Sequence, residues 1–426
     1  MNDLNYILNN KEKVQELLKG KLYDVDLNEL EALVNKKKEL QKSSEANKAK
    51  QNQLSKSVPE VKKQGGDVKK VFEEVKLLAV EYKKQEEELK EIEEKVNNIW
   101  FALPNIPDED LLPGGKENNK HIYTFKEQPK FNFKIKDHVE LAESLGLIDY
   151  ARGAKIAGRG AWVYTNLGAQ LEWALINFFI SEHLKDGFEF ILPPHLLNYE
   201  SGFTAGQFPK FEEDVFVLKD VSPTRFILPT AETALVNLHR DEILKNEELP
   251  HKYFAFTPCY RKEAGSYRTE ERGMIRGNQF DKVEMVEYTK DDDSDRAFEE
   301  LVKKAQTLVE KLGLHYKLAK LAAGDCSHSM ARTYDIEVWL PSMGIYKEVS
   351  SVSNARDYQA RRGKMRYKDE NGVMHYCHTL NGSGLATSRI FPAILEQYQQ
   401  EDGSVVVPEV LRPFMNGISV LKPIKK

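Results

Sequence analysis

The sequence predicts two kinds of structure in one chain, a long helical hairpin at the N-terminus followed by a globular domain that contains β-strands. A chain of 426 residues is expected to hold two or three domains, at roughly 150 residues per domain. Apolar residues recur at helical spacing up to about residue 99, whereas glycines, aromatic residues and mixed periodicities follow from His121 onward. Residues 101–115, rich in proline and glycine, are expected to be the linker between them.

The composition excludes some classes of function. Lys and Arg number 62 against 67 Asp and Glu, and the net charge of -5 excludes a uniformly basic nucleic-acid binder but not a locally basic one. Three cysteines, Cys259, Cys326 and Cys377, form no even disulfide framework, which favours a reducing cytosol. The most apolar stretch, residues 171–180, is shorter than the roughly 20 residues that span a bilayer. We therefore expect a soluble, cytoplasmic protein.

The helical hairpin is predicted from an apolar seam. The seam residues step by alternating threes and fours, interrupted at Gln85, and they are Val68, Val71, Val75, Leu78, Tyr82, Leu89, Ile92, Val96 and Ile99. An earlier stripe begins at Leu27 and turns polar over residues 43–53. Pro59 and Gly65-Gly66 are expected to mark the break between the two stripes. Two antiparallel helices joined by a short loop follow from this pattern.

Charge is distributed unevenly along this hairpin. Residues 36–70 contain eleven lysines against four acidic residues, a local net charge of +7, whereas residues 71–97 contain nine glutamates and five lysines. One interpretation is a solvated coiled coil without a ligand. The other is an electrostatic arm whose lysines neutralise the phosphates of a polyanion without reading its bases. The residues alone leave both interpretations open.

The globular part contains a predicted β-hairpin with polar side chains. Residues 253–257 and 279–288 have strand character, and a polar loop over residues 264–273 joins them. Alternation places Arg261 and Glu263 on one face, and a second set shares another: Arg276, Phe280, Lys282 and Glu284. Arginines can bind phosphate, an aromatic ring can stack on a base, and carboxylates can accept hydrogen bonds from an amine. A nucleotide site and an ordinary ladder of surface charge pairs both fit this pattern.

Other candidate sites give weaker signals. The sequence has no GxxxxGK[ST] loop and no complete dinucleotide fingerprint, so a nucleotide would be held by side chains. The spacing of the cysteines and histidines matches no standard zinc set; these residues are Cys326, His328, His375, Cys377 and His378. Small residues over 379–388 precede Arg389 at a strand-to-helix corner, which suits either a bound ligand or a buried helix.

Several segments together resemble the seryl-tRNA synthetases, which are class II aminoacyl-tRNA synthetases. The hairpin, residues 257–285, resembles their motif 2, residues 379–389 resemble motif 3, and residues 171–194 resemble motif 1. Shorter matches are residues 206–211, 230–232 and 401–415. The likeness covers nearly the whole chain, and the three motifs keep their order and spacing. Residues 325–330 depart from the family pattern, which leaves the geometry of that loop open.

This resemblance implies an α+β fold, with an antiparallel β-sheet flanked by helices and preceded by an antiparallel coiled-coil arm. It implies an N-terminal tRNA-binding domain over residues 1–103 and a class II catalytic domain over residues 104–426. The implied enzyme activates L-serine with ATP to seryl-adenylate and transfers serine to the 3′ end of tRNA(Ser). Transfer to tRNA(Sec) is left open. A homodimer formed through motif 1 is also implied.

The resemblance assigns roles to the hairpin and motif 3 residues. Arg261 would hold the α-phosphate, Arg276 and Arg389 the departing pyrophosphate, Glu263 the adenine amine, and Phe280 would stack on the adenine ring. The implied catalytic residues are Arg261, Arg389 and Glu348. The implied ATP-binding set is Arg261, Lys262, Glu263, Arg276, Phe280, Glu348, Val349, Ser350, Ser351 and Arg389. Mg²⁺, bound through ATP, would contact Glu348 and Ser351.

The implied serine pocket contains Thr230, Ala231, Glu232, Arg261, Glu284, Asn381 and Ser383. Buried polar groups around a substrate hydroxyl reject alanine, which would leave them unpaired.

The sequence leaves two alternative functions open. One is a related enzyme that loads an aminoacyl group onto a carrier protein, and the other is a non-catalytic coiled-coil adaptor.

Overall fold

The computed structural model describes residues 1–263 and 273–424, and the chain forms two compact units. One unit comprises Asn2–Glu16 and Asp24–Leu103; the other comprises Met1, Leu17–Tyr23 and Pro104–Lys426. In the described part of the chain, no helix is both long enough and apolar enough to cross a membrane. The loop predicted over residues 264–273 lies outside the described residues except for Gly273.

The α-helices are α1 Leu4–Asn9, α2 Lys11–Gly20, α3 Leu27–Lys63, α4 Val68–Ala102, α5 His138–Ser144, α6 Tyr150–Ala157, α7 Leu167–Lys185, α8 Tyr199–Thr204, α9 Glu232–Leu235, α10 Ser294–Leu312, α11 Tyr358–Gly363 and α12 Thr387–Gln397. The strands are β1 Lys120–Phe125, β2 Ile148–Asp149, β3 Val163–Tyr164, β4 Glu189–Phe190, β5 Leu196–Asn198, β6 Arg225–Ile227, β7 Ile243–Lys245, β8 His251–Tyr260, β9 Gln279–Thr289, β10 Tyr316–Lys320, β11 Arg332–Leu340, β12 Ile345–Asn354, β13 Arg366–Lys368, β14 Met374–Tyr376, β15 His378–Ala386, β16 Val405–Val406 and β17 Val420–Leu421. Short 3₁₀ helices occupy Lys116–Asn118, Asn246–Glu248 and Glu409–Met415.

The predicted helical arm is confirmed as the antiparallel pair α3 and α4. Asp26 and Asp67 cap the two helices, because each side chain accepts hydrogen bonds from backbone N–H groups of the first turn. Ion pairs cross between the helices: Lys36 with Glu88 at 2.8 Å, Lys37 with Glu93 at 2.6 Å, and Lys50, nearer the loop, with Glu74 at 2.8 Å. The lysine-rich and glutamate-rich halves of the sequence therefore face one another along part of the arm.

The interruption of the apolar seam at Gln85 is a polar layer between the two helices. The Gln85 side chain donates to Ser43 Oγ at 3.0 Å, and its Oε1 accepts from Asn47 at 3.0 Å. Gln85 lies opposite the segment where the α3 stripe turns polar. A buried polar pairing of this kind fixes the register of two helices, because a slipped register leaves the amide unpaired.

The expectation that Pro59 helps to end the first helix is wrong. Helix α3 continues through Pro59 to Lys63, and the turn comes at Gly65, whose φ of +71° favours glycine. Proline removes one backbone hydrogen bond of a helix, but here it lies in the last turns of α3. The carbonyl left without a helical donor is that of Ser55, an exposed residue, so water can satisfy it.

The second unit is built on an eight-stranded sheet in the order β1-β10-β11-β12-β15-β9-β8-β4. Every neighbouring pair is antiparallel except β4 with β8, so the predicted α+β class with an antiparallel sheet is confirmed. Successive residues of a strand point to opposite faces. On one face Val283, Met285 and Val352 join a single apolar core with residues of α7, α10 and α12. The other face has a second apolar cluster, which includes Val286 and Tyr288, and a polar region beside it.

The predicted β-hairpin is confirmed as β8 and β9. The register pairs Ala255 with Glu284 and Tyr260 with Gln279, and β8 continues through Pro258 instead of ending there. Arg261, Glu263 and Arg276 lie just beyond the paired residues. The hairpin therefore carries Lys282 and Glu284 on strand β9, and it carries Arg261 and Arg276 at the end where its connecting loop begins and ends.

Helix α7 begins in tight contact with the backbone of another segment, and this predicts the effect of a small substitution. A methyl group at Gly168 would lie 2.1 Å from the carbonyl oxygen of Leu147. We expect Gly168→Ala to lower the free energy of unfolding by about 1–3 kcal/mol because backbone must move. Urea unfolding measures this, with the exposed Gln170→Ala as the control in the same turn. Equal midpoints for the two variants would contradict the prediction.

Candidate active site

A cavity of about 600 Å³ opens on the face of the sheet that carries Lys282 and Glu284. Strands β9, β11, β12 and β15 contribute to its lining, together with side chains that precede α9 and follow β8. The predicted site residues that line it are Thr230, Glu232, Arg261, Glu263, Arg276, Glu284, Glu348, Ser351, Asn381 and Ser383. The structure thus brings together residues that lie more than 150 positions apart in the chain.

Alternation along two paired strands builds the floor of the cavity. Lys282 and Glu284 are on the same face of β9, and Ser383 of β15 pairs directly with Glu284. Glu284 accepts from Asn381 Nδ2 at 3.2 Å and from Ser383 Oγ at 3.4 Å, and it forms an ion pair with Lys282. The Lys282 ammonium also donates to Thr230 Oγ1 at 2.7 Å. Each of these side chains is buried, so the floor of the cavity is a buried polar network.

Glu232 is the second buried carboxyl of the cavity. It is the first residue of α9, and its Oε1 accepts from the Gln359 amide at 2.8 Å. Burial raises the pKa of Glu232 to about 7, helped by the negative charge of Glu284, whereas Gln359, Lys282 and Arg261 act in the opposite direction. The charge of Glu232 near neutral pH therefore depends on its neighbours.

The mouth of the cavity carries cationic side chains. The Arg261 Nε donates to the Pro229 carbonyl at 3.2 Å, and its guanidinium lies 5.2 Å from the centre of the Phe280 ring. Arg276 forms an ion pair with Glu263 at 2.8 Å. The sequence assigned these four residues to one ligand, and the structure shows them in contact with one another in two pairs.

A β-bulge brings Glu348 and Ser351 to the same face. Simple alternation would separate two residues three apart, but the β11–β12 register shifts between Ile336 and Glu337, which pair with Ser350 and Glu348. The extra residue restores Glu348 to the cavity face. Arg389, in the first turn of α12, donates to the Glu348 carbonyl at 2.7 Å and lies 3.6 Å from its carboxylate. Motif 3 is thereby joined to β12.

Some predicted residues are close to the cavity but do not line it. Val349 is buried in the apolar core, and Ser350 Oγ donates to the Ser383 carbonyl at 2.6 Å, so both support the sheet. The others outside the lining are Ala231, Lys262, Phe280 and Arg389. Their backbone or side chains adjoin lining residues.

Sequence reasoning missed several residues of the cavity. Asp335 of β11 pairs with Ser351 and is buried, and burial together with the Glu348 charge raises its pKa. Its Oδ1 has no hydrogen-bond partner among the described residues. Residues 325–330, whose geometry was left open, contribute Asp325, Ser327, Ser329 and Met330 to the lining. Alternation along β11 could have indicated Asp335, but its pairing with β12 could not be read from the sequence.

Oxygen atoms of the cavity lining are the possible contacts of the predicted divalent cation. In the described residues no three His, Cys, Asp or Glu side chains are grouped as metal ligands. Glu348, Ser351 and the unpartnered oxygen of Asp335 nevertheless form a patch of oxygen donors, the type that Mg²⁺ prefers. This donor set fits a cation that takes its remaining ligands from a phosphate group.

Comparison with known proteins identifies the family. A sequence model of the seryl-tRNA synthetase N-terminal domain matches residues 1–107, and one of the tRNA synthetase class II core domain (G, H, P, S and T) matches residues 216–398. Serine–tRNA ligase 2 of Clostridium acetobutylicum is 59% identical over 97% of this chain and 99% of its own length.

Two solved structures are similar over nearly their whole length. Seryl-tRNA synthetase from Pyrococcus horikoshii, complexed with ATP, has a TM-score of 0.93 and 30% identity, with 100% of both chains covered. Cytoplasmic serine–tRNA ligase from Naegleria fowleri, in complex with AMP, has a TM-score of 0.87 and 25% identity, with 98% of this chain and 97% of that chain covered. Neither a carrier-protein ligase nor a non-catalytic adaptor is supported by these similarities. The chain belongs to the seryl-tRNA synthetase family.

Proposed function

We propose that this chain activates L-serine with ATP to seryl-adenylate and then transfers serine to the 3′ end of tRNA(Ser), with both steps in the 600 Å³ cavity. The observation that carries the proposal is one cavity that holds two buried carboxyls beside Lys282 and Arg261, in a chain of this family. A carboxyl pocket suits an ammonium and a hydroxyl, and the arginines suit phosphate. The ATP and AMP complexes of the two similar structures support the nucleotide assignment.

In the first step, an oxygen of the serine carboxylate attacks the α-phosphorus of ATP. The new P–O bond forms as the bond to the β-phosphate breaks, and pyrophosphate leaves. Arg261 holds the α-phosphate, and Arg276 and Arg389 hold the departing pyrophosphate. Glu263 accepts from the adenine amine, and Phe280 stacks on the ring. Lys262, Val349 and Ser350 are also assigned to the nucleotide site, the last two through their backbone, because their side chains support the sheet. The catalytic set is Arg261, Arg389 and Glu348.

The arginine pairs seen in the structure are compatible with these roles. Arg276 is 2.8 Å from Glu263, and this pair must open or reorient for one partner to reach phosphate and the other adenine. Arg261 lies against Phe280, so a base that stacks on Phe280 brings its phosphates within reach of Arg261. No general base is required, because the attacking group is already a carboxylate.

Glu348 and Ser351 are the protein contacts that we assign to an ATP-bound Mg²⁺, beside Asp335. When bound there, the ion neutralises charge on the phosphate oxygens. Glu348 carries two contacts at once, since its carbonyl accepts from Arg389 while its carboxylate faces the cavity. We therefore assign the cation contacts and Arg389 to the same phosphate position.

The serine pocket is assigned to Thr230, Ala231, Glu232, Arg261, Glu284, Asn381 and Ser383. In the described structure, Asn381 Oδ1 is buried without a hydrogen-bond partner. A buried acceptor in that state favours a ligand that brings a donor, as the hydroxyl or ammonium of serine does. Lys282 holds Thr230 and Glu284 in place and is added to the residues that organise the pocket.

We assign residues 1–103 to tRNA binding and residues 104–426 to catalysis. In this assignment the arm α3–α4 binds the phosphate backbone of the tRNA. We also propose a homodimer formed through the motif 1 segment, a cytoplasmic location, and tRNA(Sec) as a second acceptor to be tested. The lysines beside the arm's loop support the first assignment, because Lys62, Lys63, Lys69 and Lys70 are exposed.

Serine-dependent exchange of pyrophosphate into ATP, followed by charging of tRNA(Ser), tests the function. The Arg261→Ala variant is expected to lower exchange by roughly a hundredfold or more, because it removes a cation aimed at the reacting phosphate. The exposed Arg152→Ala is the control. Activation of another amino acid in place of serine would refute the proposed function.

The cation site is tested with Mn²⁺ in place of Mg²⁺. Glu348→Gln is expected to weaken Mn²⁺ binding to the enzyme–ATP complex by about tenfold or more, since it removes a charged oxygen ligand. Electron paramagnetic resonance of free Mn²⁺ measures the binding without turnover. The exposed Glu370→Gln serves as the control. Unchanged binding in Glu348→Gln would rule this carboxylate out as a contact.

The arm is tested by replacing Lys62, Lys63, Lys69 and Lys70 together with glutamine. We expect the KM for tRNA(Ser) to rise about tenfold or more and its dependence on salt to flatten, because phosphate contacts release counterions. Serine-dependent exchange should stay at the wild-type rate. The matched control replaces Lys76, Lys83, Lys84 and Lys90 of the glutamate-rich helix. If charging by the two variants is equal, the loop-end lysines are only solvated.

A further inference from the structure

Glu232 and Glu284, two of the buried carboxyls that line the cavity, are held in different ways. Glu284 is held by Lys282, Asn381 and Ser383, all of which line the cavity themselves. Among the described residues, the Glu232 carboxyl receives one hydrogen bond, from Gln359. Gln359 lies on α11, outside the cavity lining, and only 1% of it is exposed. The orientation of the Glu232 carboxyl thus depends on the Gln359 side chain, which does not line the cavity.

The orientation of the Gln359 amide is determined by two further contacts. The hydroxyl of Thr379 donates to Gln359 Oε1 at 2.6 Å, and Gln359 Nε2 also donates to the Ala205 carbonyl at 3.0 Å. Because the Ala205 carbonyl can only accept, the end of the amide that faces it and Glu232 must be the NH₂ group, and the Thr379 hydroxyl then donates to the other end. A chain of contacts therefore runs from Thr379 of β15 through Gln359 to Glu232 of α9.

We propose that Gln359 is a positioning residue for amino-acid binding, which orients the Glu232 carboxyl and stabilises its charged form in the serine pocket. This inference rests on the proposed function, since it concerns the same pocket. Because Gln359 makes no contact in the cavity, it acts through Glu232. The affinity for ATP should not depend on it.

The electrostatic surroundings of Glu232 favour this role. Lys282 of β9 and Arg261 after β8 are the cations that face it, and Glu284 of β9 is the facing anion. Burial and Glu284 raise the pKa of Glu232 to about 7, and the Gln359 hydrogen bond is the first of the opposing contacts. A donor to the charged form lowers a carboxyl pKa, so its removal moves the pKa further up. Less carboxylate then remains at neutral pH to bind an ammonium group.

The test compares Gln359→Leu with wild type in serine-dependent pyrophosphate exchange across pH. We expect the KM for serine to rise about tenfold or more, as for a lost hydrogen bond to a charged group, with the KM for ATP unchanged. The acidic limb of kcat/KM for serine should move to higher pH, because a raised Glu232 pKa requires a higher pH for the carboxylate. Gln306→Leu, a buried glutamine bonded to the Tyr316 hydroxyl, is the control.

Thr379→Val provides a second measurement if Gln359→Leu does not fold. It removes the hydroxyl that orients the amide, and we expect a smaller change of the same kind, again confined to serine. Wild-type KM for serine together with a wild-type pH profile in a folded variant would overturn the inference. So would equal losses for serine and ATP without a pH shift, which indicate a purely structural role. Absence of serine-dependent exchange in the wild type would instead refute the proposed function.

Discussion

The unit that contains the cavity depends on the burial of two carboxyls of the proposed serine pocket, Glu232 and Glu284, on one side of an antiparallel sheet. Burying one charge without compensation is costly, and two like charges in one cavity are costlier. Lys282, with its contacts to both Glu284 and Thr230, supplies the main compensation at the floor. Asn381, Ser383 and Gln359 supply donors to the remaining oxygens. The result is a pocket whose polarity is balanced for a small zwitterion rather than for an apolar ligand.

The sheet makes this arrangement possible because its two faces are used differently. Val283, Met285 and Val352 pack with α7, α10 and α12, whereas their neighbours in sequence face the cavity. Strand alternation therefore ties the stability of the core to the geometry of the site. The bulge in β12 is the exception that adds Glu348 to the cavity face, and it places the candidate cation contact near Arg389. A local irregularity thus brings Glu348 into contact with Arg389 of motif 3.

Much of this could be predicted from the sequence, and the rest could not for identifiable reasons. The seam of α3 and α4 and the β8–β9 hairpin follow from periodicity, which is a local property of the chain. Gln359 and Asp335 become recognisable only when β11, β12 and β15 are paired, and that pairing joins distant segments. The bulge at Val349 reverses the face that simple alternation predicts for Glu348. Pro59 was misjudged because a proline near the end of an exposed helix removes only one hydrogen bond.

Selection of the amino acid is the direct consequence of a buried, polar pocket. Asn381 Oδ1 has no hydrogen-bond partner among the described residues, so a substrate without a hydroxyl is expected to leave this buried acceptor unpaired. The ratio of kcat/KM for serine to that for alanine in pyrophosphate exchange measures this. The account predicts a ratio of about 10⁴ or more, as in sites built to hydrogen-bond a substrate hydroxyl. A ratio near ten, the scale of shape discrimination alone, would contradict it.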